Sequence, residues 1–106
     1  MKKYEPVILE TPYAGNVEEN VIYAQACMKD SLMRGEAPFL SHLLYTQCLN
    51  DNVPVERQIG IEAGFAFKSV INKTIVYQDY GISKGMIQGV NSARENGNIV
   101  EYINIL

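Results

Sequence analysis

Side chains able to bind a ligand or move a proton are concentrated in three polar segments, residues 11–16, 42–52 and 78–85. They carry hydroxyl, imidazole, amide and carboxylate groups, which hydrogen-bond small polar ligands and act as general acids and bases. The candidates in these segments are Tyr13, Gly15, His42, Tyr45, Thr46, Gln47, Asp79, Tyr80, Ser83 and Gly85. Loops without a function more often contain only turn-forming residues, so this concentration indicates a binding or catalytic site.

The segment from Gly81 to Met86, with the sequence GISKGM, has the composition of an anion-binding loop. We expect it to join a strand to the start of a helix, where backbone N–H groups and the helix dipole favour a negative charge. Ser83 adds a hydroxyl group and Lys84 adds a positive charge, so a phosphate group could bind here. The residue order differs from that of a Walker loop. The alternative is an N-cap, Ser83, followed by a glycine, Gly85, that allows close packing.

Glu62 is a carboxylate beside an apolar helix face. On a helical projection centred on Ile59 it falls about 60° from the centre of that face, at its border. A carboxylate in such a position must be paired, neutralised or used in chemistry. The alternative is a glutamate that reaches solvent at the edge of the face or pairs with an arginine.

His42 and Tyr13 are two further candidates. His42 is the single histidine of the chain, and its ordinary pKa suits a general base or a phosphate-binding group. Tyr13 is suited to donate a hydrogen bond to a carboxylate. The alternatives are a loop histidine that makes one structural hydrogen bond and a tyrosine that packs in the core.

The elements that must position these residues alternate between strand and helix. Short apolar runs predict strands over residues 6–11, 37–44, 74–77 and 99–103. Apolar residues at helical spacing predict helices over residues 17–34, 55–70 and 84–96, with N-caps at Asn16 and Ser83 and ends at Gly35 and Gly97. This alternation predicts one α/β domain over residues 1–106. We expect a three-layer, Rossmann-like sandwich, with a mostly parallel sheet of four or five strands covered by helices on both faces.

The fold prediction connects the three polar segments. In open α/β sheets, ligands bind outside the carboxyl ends of the strands, and each polar segment follows a predicted strand.

The residues expected to face the core are Val17, Val21, Ala24, Met28 and Leu32 in the first helix, Val55, Ile59, Ala63, Ala66 and Val70 in the second, and Met86, Val90 and Ala93 in the third. Gly81, Gly85 and Gly89 recur every four residues, a spacing suited to close packing, including packing against a second subunit.

Composition limits the classes of partner. With 106 residues, 47% apolar residues and a net charge of −3, the chain is an ordinary globular domain without the broad basic surface that binds nucleic acid polymers or anionic membranes. The run Val7-Ile8-Leu9 is too short for a signal-peptide core, so we expect a cytoplasmic protein. Cys27 and Cys48 lack a metal-type spacing with His42 and are predicted to be reduced packing residues. Neither a metal nor a cofactor is predicted.

Three segments resemble a known group of proteins. The helix Gly60–Ala66 (GIEAGFA) resembles the E-x-G-x-A helix of nucleoside 2-deoxyribosyltransferase-like proteins, which are Rossmann-like binders of nucleotides and nucleotide sugars. The segment Thr11–Gly15 is similar to the first-strand loop of that family, and Ser83–Met86 is similar to phosphate loops of related members. Most of the chain, including Ser41–Gln47, also resembles an uncharacterised family of small phage and bacterial domains.

The resemblance implies an enzyme that cleaves or transfers the N-glycosidic bond of a nucleotide or nucleoside. Glu62 would attack the anomeric carbon of the sugar or stabilise the oxocarbenium-like transition state, and Tyr13 would orient that carboxylate. Ser83, Lys84 and Gly85 would hold a 5′-phosphate. The full set of ligand-binding residues implied in this way is Gly15, His42, Tyr45, Gln47, Asp79, Ser83, Lys84, Gly85 and Met86.

The chain departs from this family in two respects. In the deoxyribosyltransferases a strand with an aspartate comes just before the glutamate helix, whereas here the second predicted strand leads through a polar loop directly into that helix. The chain is also shorter and lacks the usual carboxy-terminal extension of that family. We therefore expect a homo-oligomer in which a neighbouring subunit completes the pocket. The alternative is a protein without catalytic activity that binds or sequesters a nucleotide signal, including one of the ADP-ribose type, for example in phage counter-defence.

Overall fold

Four parallel strands form a single sheet in the computed structural model, which describes residues 3–106. The strands are β1 (Glu5–Glu10), β2 (Glu36–Phe39), β3 (Lys73–Tyr77) and β4 (Ile99–Ile103), in the order β2-β1-β3-β4. In the central strand β1, Ile8 is in register with Phe39 of β2 on one side and with Thr74 of β3 on the other. The prediction of a mostly parallel α/β fold is confirmed.

Four helices connect the strands. They are α1 (Val17–Met33), α2 (Ser41–Leu44), α3 (Pro54–Ala66) and α4 (Lys84–Glu95), with 3-10 turns at Tyr45–Gln47 and Phe67–Ser69. Alternate residues of the strands point to opposite faces of the sheet. One face packs against α1 in a core that includes Val7, Leu9, Tyr23, Ala24, Cys27, Ile75 and Tyr77, and the other packs against α4 through Val76, Met86 and Val90. The fold therefore has the three layers of a Rossmann-like sandwich.

The predicted ends of α1 and α4 are confirmed. The Asn16 side chain accepts a hydrogen bond from the Glu19 N–H at the start of α1, and the Ser83 hydroxyl accepts one from the Met86 N–H at the start of α4. Gly35 and Gly97 follow these helices with φ angles of 87° and 73°. That left-handed conformation is readily adopted by glycine, which has no Cβ, so each glycine allows its helix to stop.

The segment after β2 differs from the prediction. A strand was expected over residues 37–44, but β2 ends at Phe39 and Ser41–Leu44 is a helical turn, α2. Leu40 is buried, and Leu43 packs against the same core cluster. Two apolar residues three positions apart reach the same side of a helical turn, whereas a strand would direct them to opposite faces. The core therefore favours the helical conformation.

The predicted core face is wrong for α3 and partly wrong for α1. Val55, Ile59 and Val70 were expected to be buried, yet their exposures are 66%, 50% and 74%. The inward side of α3 contains Gly60 and Gly64 instead, because a glycine allows the close approach that a larger side chain would block. In α1, Ala24 is buried as expected, but Val17 and Leu32 are exposed.

The expectation for α4 is confirmed, since Met86, Val90 and Ala93 are buried.

Both cysteines are free thiols. Cys27 is buried as predicted, whereas Cys48 is exposed and does not pack in the core. Among the helices of residues 3–106, none combines the length and hydropathy that a membrane span requires.

Candidate functional site

A cleft of about 330 Å³ opens at the carboxyl end of β1. The chain passes from β1 to β2 on one side of the sheet and then to β3 on the other side of β1, so the strand order reverses at this point. Open α/β sheets bind their ligands at such a reversal. The cleft is lined by the loop after β1, the start of α2, the inward side of α3 and the start of α4. Its volume lies at the lower end of the range for small-molecule sites.

The start of α4 forms one wall of the cleft. Ser83, Lys84, Gly85 and Met86 all line it. The Ser83 hydroxyl accepts a hydrogen bond of 3.2 Å from the Met86 N–H, and the Ser83 N–H donates to the Met86 sulfur at 3.4 Å. These contacts fix the first turn of a helix whose leading N–H groups have no intrahelical acceptor. A Cβ added at Gly85 would meet only the Ser83 Oγ within 4 Å, so the space beside it is open.

An aromatic pair forms another part of the wall. The rings of Tyr13 and His42 lie 5.4 Å apart at an angle of 30°. His42 Nε2 is 2.8 Å from the Thr11 hydroxyl oxygen, and the buried Nδ1 has no hydrogen-bond partner among residues 3–106. Burial lowers the pKa of His42 to about 4, against smaller opposing effects from Thr11 and Asp51. The imidazole is therefore neutral near pH 7.

A buried ion pair forms the floor of the cleft. Lys68 Nζ lies 2.8 Å from Glu10 Oε2 and also donates to the carbonyl oxygen of Gly89. The Lys68 side chain is 2% exposed, whereas that of Glu10 is 15% exposed and lines the cleft. Burial raises the pKa of Glu10, and the neighbouring Lys68 opposes that shift. A Cβ at Gly89 would overlap the Glu10 carboxylate, so the close packing expected of this glycine occurs within the chain.

Two cations at the cleft lack a partner of opposite charge. Arg57 on α3 and Lys84 on α4 both line the cleft and are exposed. Neither belongs to an ion pair within the part of the chain that the structure describes. Because Glu10 is already paired with Lys68, the carboxylate of Asp51 is the remaining negative charge on the wall. The rim of the cleft can therefore attract an anion.

Six of the residues predicted from the sequence meet in this cleft. They are Tyr13, His42, Ser83, Lys84, Gly85 and Met86. They come from loops after three different strands and converge because the strands are parallel and end at the same edge of the sheet.

Five predicted residues lie elsewhere. Gly15 is exposed in the loop after β1, and Tyr45 lines a smaller neighbouring pocket of about 60 Å³. Gln47 lines an apolar groove between α1 and α2 and donates a hydrogen bond to the Leu43 carbonyl oxygen. Asp79 and Glu62 also lie outside the cleft.

Asp79 has a structural role in the described chain. Its carboxylate accepts hydrogen bonds from the Tyr23 hydroxyl and from the N–H groups of Ile105 and Leu106. Desolvation would raise its pKa, but these hydrogen bonds lower it overall. The aspartate thereby ties the carboxyl-terminal segment to α1.

Glu62 is exposed on α3 and accepts a hydrogen bond of 3.1 Å from the Gln58 amide. Arg57 and Ile61 of the same helix line the cleft, whereas Glu62 does not. The expected contact between Tyr13 and Glu62 is therefore not formed. Glu62 does border the apolar face that contains Val55 and Ile59, but that face points to solvent rather than to the core.

Several residues of the cleft were not predicted individually from the sequence. They are Glu10, Thr11, Ala14, Ser41, Asp51, Arg57, Ile61 and Gln88. Of these, Thr11, Ala14 and Asp51 lie within the predicted polar segments 11–16 and 42–52. One signal was available, since Glu10 is a charged residue at the last position of a buried strand. Another was the spacing of Arg57 and Ile61, which lie four residues apart and so share a side of α3. Among residues 3–106, no group of three or more His, Cys, Asp and Glu side chains could hold a metal ion.

Residues 5–103 match a protein-family model described as a domain of unknown function, DUF7768. No curated protein and no solved structure shows a significant match to the chain.

Proposed function

We propose that this chain, which belongs to the DUF7768 family, binds a nucleoside phosphate or a nucleotide sugar in the cleft at the carboxyl end of β1. One observation carries the proposal. The two unpaired cations, Arg57 and Lys84, border the same cleft as the aromatic pair Tyr13–His42. A nucleotide combines the two matching parts, an anionic phosphate and a flat polar base.

The phosphate is held at the start of α4. Ser83, Lys84 and Gly85 line the cleft, and the free backbone N–H groups and the dipole at the start of a helix favour a negative charge. The Lys84 ammonium and the Arg57 guanidinium add charge-assisted hydrogen bonds, which are stronger than those between neutral groups. Gly85 leaves room for phosphate oxygens to approach the backbone.

The base lies against Tyr13 and His42. Aromatic rings provide a stacking surface for a base, and each such contact is worth about 1–3 kcal/mol. A neutral imidazole suits this position because it can donate or accept a hydrogen bond without adding a charge. The His42 ring lines the cleft beside Tyr13, so the ring face is the part of this side chain that the base contacts.

Binding without catalysis is the form of the proposal that the geometry supports. Cleavage through Glu62 requires its carboxylate beside the sugar, and this side chain is exposed and outside the cleft. We therefore favour the alternative in which the protein binds or sequesters a nucleotide signal. Assembly into a homo-oligomer that shares the site stays a prediction.

Isothermal titration calorimetry tests this function directly. AMP, UMP, ADP-ribose and inorganic phosphate are titrated into the wild-type chain and into Arg57→Ala, Lys84→Ala and the control Lys29→Ala, which changes an exposed residue of α1. We expect at least one nucleotide to bind more tightly than phosphate, and we expect each cleft variant to weaken that binding about tenfold, since a hydrogen bond to a charged group is worth about 1.5–3 kcal/mol. Absence of nucleotide binding, or equal effects of Arg57→Ala and Lys29→Ala, would overturn the proposal.

Mass spectrometry of the recovered nucleotide separates binding from catalysis. After incubation and denaturation of the protein, the nucleotide is expected to be chemically unchanged, and Glu62→Ala is expected to bind it with wild-type affinity. Release of free base by the wild-type chain, abolished in Glu62→Ala, would restore the catalytic interpretation.

A further inference from the structure

The ion pair on the floor of the cleft has features that a purely structural contact does not need. Glu10 is the last residue of the central strand β1 and lines the cleft, while Lys68 behind it is buried. Lys68 contacts Glu10 Oε2, and the Glu10 side chain retains 15% exposure. Lys68 therefore holds Oε2 while part of the Glu10 side chain faces the space in which a ligand would bind.

Stability alone does not explain the pair. Burying two opposite charges costs solvation free energy that their attraction does not reliably recover, and apolar residues of the same volume are often as stabilising or more so. Lys68 also donates to the Gly89 carbonyl oxygen and lies 4.7 Å from the centre of the Phe65 ring. These contacts hold the Lys68 ammonium group in place, and the ammonium group in turn holds the Glu10 carboxylate in place.

The position of Glu10 along α4 indicates what it can bind. The carboxylate packs against Gly89, which lies one helical turn, about 6 Å along the axis, beyond Gly85 at the phosphate-binding start of the helix. The Glu10 carboxylate thus lies about one helical turn further along α4 than the proposed phosphate position, a separation that a pentose can span. An ionised carboxylate only accepts hydrogen bonds, so the ligand must present a donor there.

We infer that Glu10 recognises the sugar of the bound nucleotide by accepting a hydrogen bond from a ribose hydroxyl, and that Lys68 positions it for this contact. The inference rests on the proposed function and extends it, because it names ribonucleotides rather than deoxyribonucleotides as the ligand class. Discrimination arises because an analogue without the hydroxyl leaves the desolvated carboxylate with Lys68 as its donor but without the second donor that the sugar supplies.

The experiment compares AMP with 2′-deoxy-AMP and 3′-deoxy-AMP by isothermal titration calorimetry. For the wild-type chain, we expect at least one deoxy analogue to bind about tenfold to a hundredfold more weakly than AMP, which is the range for the loss of a hydrogen bond to a charged group. The double variant Glu10→Leu/Lys68→Met removes both charges and keeps the side chains similar in size. It is expected to bind all three nucleotides with affinities within about threefold of one another and close to that of the wild-type chain for the weaker analogue.

The outcomes separate this inference from the proposed function. If the wild-type chain binds the three nucleotides equally and Lys84→Ala weakens all of them, recognition of the sugar by Glu10 is refuted while nucleotide binding stands. If the folded double variant still prefers AMP, another residue recognises the hydroxyl. If the wild-type chain binds none of the three and neither UMP nor ADP-ribose, the proposed function itself fails. If it binds UMP but not AMP, the same comparison is made with UMP and its 2′-deoxy and 3′-deoxy analogues. The comparison within the wild-type chain needs no variant, so it remains decisive even if the double variant does not fold.

Discussion

Lowering the pH from 7.5 to 4.5 is expected to destabilise the folded chain through His42. Burial lowers the pKa of this imidazole from 6.5 to about 4, whereas in the unfolded chain it titrates near the ordinary value. Between these two pKa values the unfolded state binds more protons than the folded state. Stability therefore falls as the pH decreases from about 6.5 and levels off below about 4, where both states are protonated.

The size of the effect follows from the pKa difference. Each pKa unit corresponds to about 1.36 kcal/mol, so a difference between 6.5 and about 4 amounts to about 3 kcal/mol when complete. By pH 4.5 about 2.5 kcal/mol of this contribution should be lost. That is a large share of the stability of a small domain.

Urea unfolding at several pH values measures this loss. The control is His42→Gln, which keeps a polar group near the Thr11 hydroxyl but does not titrate in this range. Carboxylates titrate in both proteins, so the difference between their pH profiles isolates His42. Profiles that run parallel from pH 7.5 to 4.5, or a His42 pKa near 6.5 measured by NMR, would refute the account of a buried neutral imidazole.

Three glycine substitutions test the close contacts that shape the cleft, each by urea unfolding. Gly89→Ala should destabilise the chain by about 1–3 kcal/mol, since its methyl group would overlap the Glu10 carboxylate. Gly64→Ala should have a similar cost, because the added Cβ would lie 2.8 Å from the Ser41 Cβ. Gly85→Ala, in open space, should leave stability within about 0.5 kcal/mol of the wild-type value. Equal effects at all three positions would contradict these contacts.

The architecture was largely predictable because it depends on local patterns. The buried strand around Val7 and the caps at Asn16 and Ser83 are encoded within a few residues, and the structure confirms them. The strand-end rule then located the cleft before any contact was known. For the same reason, Tyr13 and His42 could be assigned to one site although they lie far apart in sequence.

The orientation of α3 was not predictable from apolar spacing. Its inward side packs through Gly60 and Gly64, which have no side chain, while Val55 and Ile59 face solvent. A helical projection weights large apolar residues and therefore selected the wrong side. Glu62, at the border of that side, is exposed for the same reason.

The ion pair between Glu10 and Lys68 could not be predicted from sequence patterns either. Lys68 lies 58 residues further along the chain, and only the packing of the 3-10 turn Phe67–Ser69 beneath the cleft brings the two together. Long-range ion pairs of this kind leave no periodic signal. The one available indication was that Glu10 directly follows the three consecutive apolar residues Val7–Leu9 of β1.

NMR mapping of the amide groups during a titration with AMP tests most directly whether the cleft is a nucleotide site. Saturable shifts are expected at Lys84 and Gly85, at the start of α4, and around Tyr13 and His42. In Arg57→Ala all of these shifts should need a higher AMP concentration to reach saturation. Saturable shifts confined to the apolar groove around Gln47, or no saturable shifts at any amide, would contradict nucleotide binding at the carboxyl end of β1.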